Sequence, residues 1–329
     1  MCGVRGFTGC DLKIVSYDEL RGKWESQAQL LDASVGWFPL DFRRVEEARR
    51  LGYPAADYCG VYAVEGTEVL SSVRVLRLPY TMSDGESETV SAIQGVATKR
   101  EWSRKGLARR LLEEVHRREV AAGSRFAVLW TGYSNAAHAL YNSMGYVDVH
   151  TPKLAIKKCA KAKAGRFGYA LKPVRKEDSA LLMRLHAEST AGRIGFTPRP
   201  KDILTSVLKL GFLEPASLRL IHLKGKPVGY VQIQKGPGWI RSDEVVLTDR
   251  ADPGAVVSQL ESETGGGWLV LSGTFVRDVQ GLLGKRGYSI TDHTYSCLMA
   301  RALVGKHPHL REELGTAAPS FTCQYLDHF

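Results

Sequence analysis

The residue types that can do chemistry gather in one window: Ile93-Gln94-Gly95-Val96-Ala97-Thr98, then Ser103-Arg104-Lys105-Gly106-Leu107-Ala108-Arg109, and downstream Asn135, Tyr141 and Gly145-Tyr146. An apolar stretch of strand type runs into a basic turn, and a helical pattern begins directly after it. A helix start leaves backbone amides without partners, and the helix dipole adds partial positive charge there. Such a turn can cradle a pyrophosphate. Gly106 lets the backbone come close to phosphate oxygens, and Arg104, Lys105, Arg109 and Arg110 surround the turn with charge. Taken alone, the same residues also describe a basic helix start on a solvated surface.

The elements that must position this window are legible in the spacing. Ser16-Tyr17-Asp18-Glu19 has the form of a capping box, which predicts a helix running to Ala33, with a second helical stretch over 41–51. Strands are expected at 58–64 and 69–78 around the turn Glu65-Gly66-Thr67-Glu68, and a third at 89–97. A helix over 105–122 carries Leu107, Leu111, Leu112 and Val115 on one stripe. A strand at 126–130, a short helix at 135–143 and a return to strand from Tyr146 follow. The second half repeats this order more loosely, with strands at 169–174, 218–223, 227–234, 244–247 and 268–271 and helices at 176–191, 255–263 and 277–283. Val128-Leu129 is followed sixteen residues later by Gly145-Tyr146, and Val270-Leu271 at the same spacing by Gly287-Tyr288. A tandem of one fold, its copies diverged, accounts for both the pair and the shared order.

With its downstream partner the window resembles the GNAT family of N-acetyltransferases, whose signature is Gln/Arg-x-x-Gly-x-Gly/Ala on a strand-turn-helix followed by a short helix bearing a tyrosine. Ser103, Gly106 and Ala108 stand at the matching positions; Ser103 departs from the Gln or Arg usual there. The resemblance covers about the first 160 residues. It implies a mixed α/β fold of two tandem acyl-CoA N-acyltransferase modules, each a mixed, mostly antiparallel sheet flanked by helices. It implies acetyl-CoA as the donor cosubstrate; separately, the scattered cysteines, with no Cys-x-x-Cys and no histidine pair at zinc-finger spacing near them, lead to the expectation of no metal. The pyrophosphate is expected on the amides of Arg104, Lys105, Gly106, Leu107 and Ala108, with Arg109 beside them, and the pantetheine arm lies like an added strand against Val96, Ala97 and Thr98. Asn135 matches a position that bonds to the pantetheine, and Tyr141 the acid that protonates the departing thiolate. A phenol of pKa near 10 is protonated at neutral pH and can donate to a developing thiolate. As a purely structural residue, Tyr141 is a buried aromatic on an amphipathic helix. The acceptor amine must be uncharged to attack, so a base or a water chain is expected. Asp41, Glu86, Glu88 and His138 are candidates that the sequence does not separate from ordinary surface groups.

The second copy lacks this apparatus. Its strand leads into Asp249-Arg250-Ala251-Asp252-Pro253-Gly254, where two aspartates face any phosphate, and Leu283 and Arg277 align with Tyr141 and Asn135. The expected division is a catalytic module over 1–160, a degenerate one over 161–304, and a tail over 305–329 that docks on the modules. Two modules with the second degenerate are also similar to the enhanced intracellular survival group of acetyltransferases, whose C-terminal carboxylate reaches the active site. The aromatic end Ser320 to Phe329 accordingly raises the question of whether Asp327 or the Phe329 carboxylate enters a cleft, with packing on the second module as the plainer reading.

Length and composition set the outer limits. The 329 residues exceed one ordinary domain, and 44% hydrophobic with 24% charged residues supply real cores. No apolar run reaches membrane-spanning length and no secretory leader is apparent, so a cytoplasmic protein is expected. Six scattered cysteines without Cys-x-x-Cys are read as reduced thiols. Of the net charge of +10, nine positive charges lie within 151–176, where no acidic residue occurs. That run is read as a strand end and solvated linker rather than a nucleic-acid site, because no aromatic pattern accompanies the lysines. The resulting expectation is an acyltransferase moving acetyl to a primary amine, with self-association left open. Its rivals are a non-catalytic acyl-CoA sensor and a nucleic-acid-associated protein.

Overall fold

Two mixed sheets carry the chain, and each contains one strand contributed by the other half of the sequence. The computed structural model describes residues 12–34, 43, 46–47, 50–51, 55–161, 167–199, 203–209, 213–272, 280–293 and 296–323. The first sheet is built from β1 (Leu12–Ser16), β2 (Ala55–Glu65), β3 (Glu68–Thr81), β4 (Ser87–Thr98), β5 (Phe126–Thr131) and β6 (Val147–His150), with β15 (Cys297–Ala302) seated between β5 and β6. The second is built from β8 (Tyr169–Pro173), β10 (Leu218–Leu223), β11 (Lys226–Gly236), β12 (Trp239–Leu247), β13 (Trp268–Ser272) and β14 (Ser289–Asp292), with β7 (Lys153–Lys158) between β13 and β14. The two orders, β1-β2-β3-β4-β5-β15-β6 and β8-β10-β11-β12-β13-β7-β14, are the same order of parts. In each sheet one parallel pair, β4 with β5 and β12 with β13, interrupts otherwise antiparallel pairing along this path. This is the mixed α/β architecture expected from the sequence.

The exchange means that no single cut after residue 160 separates the sheets. It also corrects the reading of the basic run, whose first part is an interior strand rather than a linker. Along β7 the lysines find carboxylates far away in sequence: Lys157 Nζ lies 2.9 Å from Glu261 and Lys153 pairs with Asp292. Leu154, Ala155 and Ile156 lie between them, and Ala155 is buried in the second core.

Helices cover the sheet faces. In the first sheet α3 (Leu107–Ala121) and α4 (Ala136–Ser143) pack on one face through Leu107, Leu111, Leu112, Val115 and Tyr141. On the other face lie α1 (Tyr17–Leu20) and α2 (Glu25–Ser34), through Tyr17, Leu20, Ala28 and Leu31. Ser16 and Glu19 form the expected capping box, but the helix stops at Leu20, because Gly22 takes a left-handed φ of 73° and a new helix starts at Glu25. Most of the helix expected over 41–51 lies outside the described residues. In the second sheet α5 (Ser179–Thr190) and α6 (Ile203–Lys209) cover one face, and α7 (Pro253–Glu263) and α8 (Gln280–Lys285) the other.

Described residues of the C-terminal segment pack on the first sheet and also pair with a short strand of the second half. Leu310 and Leu314 of and beside α9 (Leu310–Glu313), with Phe321 and Cys323, pack against Leu78, Tyr80, Phe126 and Leu298. The Tyr80 hydroxyl donates to the Leu314 carbonyl, and β16 (Phe321–Thr322) pairs with β9 (Ile194–Gly195), which touches β3 at Thr81. The last six residues, with Asp327 and Phe329, lie outside the described residues. Cys159, Cys297 and Cys323 are buried, and Cys159 and Cys297 carry free thiols.

Candidate active site

A bulge in β4 opens the first sheet. Ser72 pairs with Ala97 and Arg74 with Gln94, so Gly95 and Val96 together oppose Val73. Two residues against one bend the strand away from its neighbour. Gly95 has φ 59°, and a Cβ there falls 2.2 Å from Arg74 Nε, so the position admits only glycine without displacing that arginine. Ser72 Oγ donates to the Gly95 carbonyl at 3.1 Å and Ser71 Oγ to the Ala97 carbonyl at 2.7 Å, which hold the bend in place. Behind it Arg74 pairs with buried Asp32 of α2 at 3.3 Å. The consequence is visible in the pairing. β4 and β5 are joined only at Ser91–Ala127, Ala92–Val128 and Ile93–Leu129, although β4 continues to Thr98 and β5 to Thr131. Beyond Ile93 the two strands diverge, leaving the β5-facing edge of Val96, Ala97 and Thr98 available to an extended ligand.

The turn after β4 ends at an uncapped helix. Arg104 takes φ 62°, and Gly106 is the N-cap of α3 at φ 82° with no side-chain cap hydrogen bond. The helical ladder begins with the Arg110 amide on the Gly106 carbonyl, 3.0 Å. Leu107 is buried and anchors the helix, while Ala108 is half-buried. A Cβ on Gly106 meets nothing within 4 Å, so the space in front of the helix start is open. Uncapped first-turn amides in open space, facing a diverging strand pair, are suited to a phosphate at the helix and a strand-like arm in the gap. The basic side chains divide between roles. Arg104 is exposed, Lys105 Nζ lies 4.2 Å from the centre of the Trp102 ring, and Arg109 donates to Ser143 Oγ at 2.6 Å, which ties the start of α3 to the end of α4. Ser103 Oγ donates to the Lys99 carbonyl, so it serves the turn.

On α4, Asn135 is the N-cap, its Oδ1 accepting from the Ala137 amide at 3.1 Å. Tyr141 is 5% exposed, and burial pushes its hydroxyl up to about 12. Its ring lies against Tyr146, whose hydroxyl meets His116 Nε2 at 2.8 Å. Burial first, and Arg301 second, lower His116 to about 4, so it is neutral. Of the candidate bases, Glu88 sits at the opposite end of β4, roughly 25 Å along the strand from Val96, with Glu86 just before the strand, and Glu88 is paired with Arg125. His138 is not simply solvated, since its Nε2 lies 2.9 Å from Asp148 Oδ1. Asp41 lies outside the described residues.

The second sheet has the same opening but a closed helix start. Gln232 pairs with Glu244 and Gln234 with Arg241, a bulge at the corresponding place, and β12 pairs with β13 only from Trp239 to Ser242. At α7, however, Asp252 Oδ1 accepts from the Gly254 amide at 2.8 Å and the Ala255 amide at 3.4 Å, and Pro253 has no amide hydrogen to offer. The carboxylate therefore fills the place an anion would take. Tyr146 N bonds the Tyr141 carbonyl and Tyr288 N the Leu283 carbonyl, each at 3.1 Å, so Leu283 stands where Tyr141 stands in the first half. Arg277 lies outside the described residues. The sequence showed the glycine turn and the tyrosine; it missed the supports Ser71, Ser72, Arg74 and Asp32, whose contacts cross 23 to 42 residues. Gly95 inside a strand pattern was the one local signal of the bulge.

Residues 20–147 match a family model described as an acetyltransferase (GNAT) domain, a stretch running from the end of α1 to the start of β6. No curated protein matches the sequence. Among solved structures, a GCN5-related N-acetyltransferase from Kribbella flavida is similar at 18% identity and a TM-score of 0.60, covering 89% of this chain and 71% of that one. A probable N-acyltransferase of unknown function from Enterococcus faecalis V583 is similar at 15% identity and 0.64, covering 89% and 72%. Eis1 from Mycobacterium abscessus is similar at 16% and 0.58, covering 89% and 74%. At these identities the likeness is one of fold, and it extends over both sheets. Together with the match to the family model, it identifies residues 20–147 as a GNAT acetyltransferase domain.

Proposed function

We propose that the first sheet and its helices transfer an acetyl group from acetyl-CoA to a primary amine by direct attack. The observation that carries this reading is the divergence of β4 from β5 at the Gly95–Val96 bulge, directly before a helix start that no side chain caps. In this reading the pyrophosphate lies on the amides around Gly106, Leu107 and Ala108, with Arg104 and Lys105 supplying charge and Arg109 holding α3 against α4. The pantetheine arm pairs along Val96, Ala97 and Thr98 and reaches past Asn135, whose amide nitrogen is left for the ligand while its oxygen caps α4. The neutral amine adds to the thioester carbonyl, the adduct's nitrogen passes its extra proton to solvent water, collapse of the adduct breaks the carbon–sulfur bond, and Tyr141 donates a hydrogen bond to the thiolate as it forms. No acyl-enzyme is needed.

The catalytic unit on this proposal comprises residues from β1 to β6 together with β15 and the packed C-terminal segment. The second unit is a diverged copy that takes no acetyl-CoA, because Asp252 occupies its helix start and Leu283 replaces the tyrosine. Among the described residues no helix is long and apolar enough to cross a membrane.

Calorimetric titration with acetyl-CoA tests the reading. One site per chain is expected. Gly106→Asp should abolish it by placing a carboxylate at the phosphate, whereas Gly106→Asn, which tolerates the same left-handed backbone, should weaken it less. Two sites, or equal affinity in all three proteins, count against it.

A further inference from the structure

Three residues that could not be connected by spacing meet beneath α4. His138 reaches down from the helix, Asp148 points up from β6, and Cys297 opens β15, the strand contributed by the second half. His138 Nε2 lies 2.9 Å and Cys297 Sγ 3.8 Å from the same oxygen, Asp148 Oδ1, and all three ligand atoms fall within 4.8 Å of one another. We propose that His138, Asp148 and Cys297 form a binding site for a divalent transition metal of the zinc type.

The distances suit this. Zinc bound at about 2.0–2.2 Å to nitrogen and oxygen and about 2.3 Å to sulfur leaves neighbouring ligand atoms roughly 3.5 Å apart in a tetrahedron. The observed separations differ from that by adjustments that a side-chain rotation can supply. The ligand types discriminate among metals: calcium and magnesium take oxygen ligands, whereas one thiol, one imidazole and one carboxylate favour zinc and its neighbours.

The surroundings are those of a built site. Cys297 is fully buried, and its backbone position is fixed by pairing with Thr131 of β5. Asn142, one turn beyond His138, places its Nδ2 3.2 Å from His138 Nδ1. Turning the carboxamide over exchanges nitrogen for oxygen at the same place, and the oxygen would then accept the Nδ1 proton and leave the Nε2 lone pair to the metal, the outer-shell arrangement that orients a ligating histidine. Arg311 donates twice to the Asp148 carbonyl, at 2.9 and 2.6 Å, which steadies the strand that carries the carboxylate. The His138 and Asp148 side chains are 16% and 31% exposed, so an ion has a way in and a water can complete the coordination. Without metal the cluster is a hydrogen-bonded group in which imidazole and thiol both approach one carboxylate oxygen. With metal it becomes a clamp between β15 and the helix that carries Tyr141. The inference does not depend on the acyl-transfer reading.

The test uses the full-length protein stripped with a chelator and titrated with Co2+ as a spectroscopic stand-in for Zn2+. One Co2+ per chain is expected, with intense thiolate-to-metal absorption in the near ultraviolet and the strong visible bands of tetrahedral coordination, both removed by adding Zn2+. Cys297→Ser should abolish the thiolate band. Asp148→Asn, which keeps the shape and much of the hydrogen bonding, should weaken binding at least tenfold while the metal-free protein keeps its Tm. Asn142→Ala should weaken it about tenfold through His138. Weak, octahedral Co2+ spectra that are the same in Cys297→Ser and wild type, or no rise in Tm with Zn2+, overturn the proposal and leave the cluster as hydrogen bonds alone.

Discussion

Tyr141 holds its proton more tightly than a phenol in water, because burial disfavours the phenolate and pushes the group up to about 12. A free thiol titrates near 8.5, so full transfer from this tyrosine to a thiolate is uphill at equilibrium. In the proposed reaction its contribution is a fixed hydrogen-bond donor to the charge that appears as the carbon–sulfur bond breaks, in surroundings with little water. Tyr141→Phe is therefore expected to lower kcat roughly 10²-fold and leave the Kd for acetyl-CoA unchanged. A sensor that binds without turnover would show no such split, since it has no kcat to lose. The pH profile adds a second check. The rate should rise as the acceptor amine loses its proton and stay level at pH 10, where a tyrosine of ordinary pKa is already half ionised.

At the scale of elements, the two halves differ at their helix starts more than in their sheets. Both carry a bulge and a splayed parallel pair, but α3 begins with a bare glycine and α7 with an aspartate that bonds two amides. Replacing Asp252 by Ala should cost about 1 kcal/mol of stability in chemical unfolding, the usual worth of such a cap, and leave acetyl-CoA stoichiometry at one. The elements most legible in the sequence were those with local signatures: the capping box at Ser16, the hairpin at Gly66, the striped helix of Leu107 to Val115, and the Gly145 and Gly287 turns. β7 was not legible as an interior strand. Lys153, Lys157 and Lys158 look like a solvated run until Asp292 and Glu261, more than 100 residues away, are placed beside two of them. The start of β12 at Trp239 and the helix at Ile203–Lys209 were also missed, the first because Arg241, Asp243 and Glu244 break the apolar pattern of a buried strand. Those charges are paired inside the fold, Arg241 with Asp243 and Glu244 with Arg199.

Over the whole molecule, acid should loosen the structure before it titrates the carboxylates. His116, His150 and His186 are all lowered by burial first, and then by Arg301, Lys153 and Arg199, with the first two near 4. In the unfolded chain each takes up a proton near pH 6.5. Below that pH the unfolded state binds protons that the native state refuses, so stability present above about 6.5 is lost as the pH falls toward 4. Urea midpoints measured at pH 7.5 and pH 5 should show the drop, at up to about 1.4 kcal/mol per pH unit for each histidine. The domain division expected from sequence fares differently, since order along the chain cannot reveal that two strands cross over. A fragment ending at residue 160 lacks β15 and exposes the edges of β5 and β6, so it should fail to bind acetyl-CoA and should aggregate; co-expression with 161–329 should restore a soluble, binding pair.

The crossing of β7 and β15 also sets a timetable for synthesis. When β6 leaves the ribosome, its sheet has a vacant lane that only residues near 300 can fill. At about 5–20 residues per second, that lane stays open for on the order of 10 s. The nascent first half must wait with two unpaired strand edges, while β7 waits for β13 and β14. Neither half can mature before the other, and the first sheet is completed only by a strand that lies far downstream of β6.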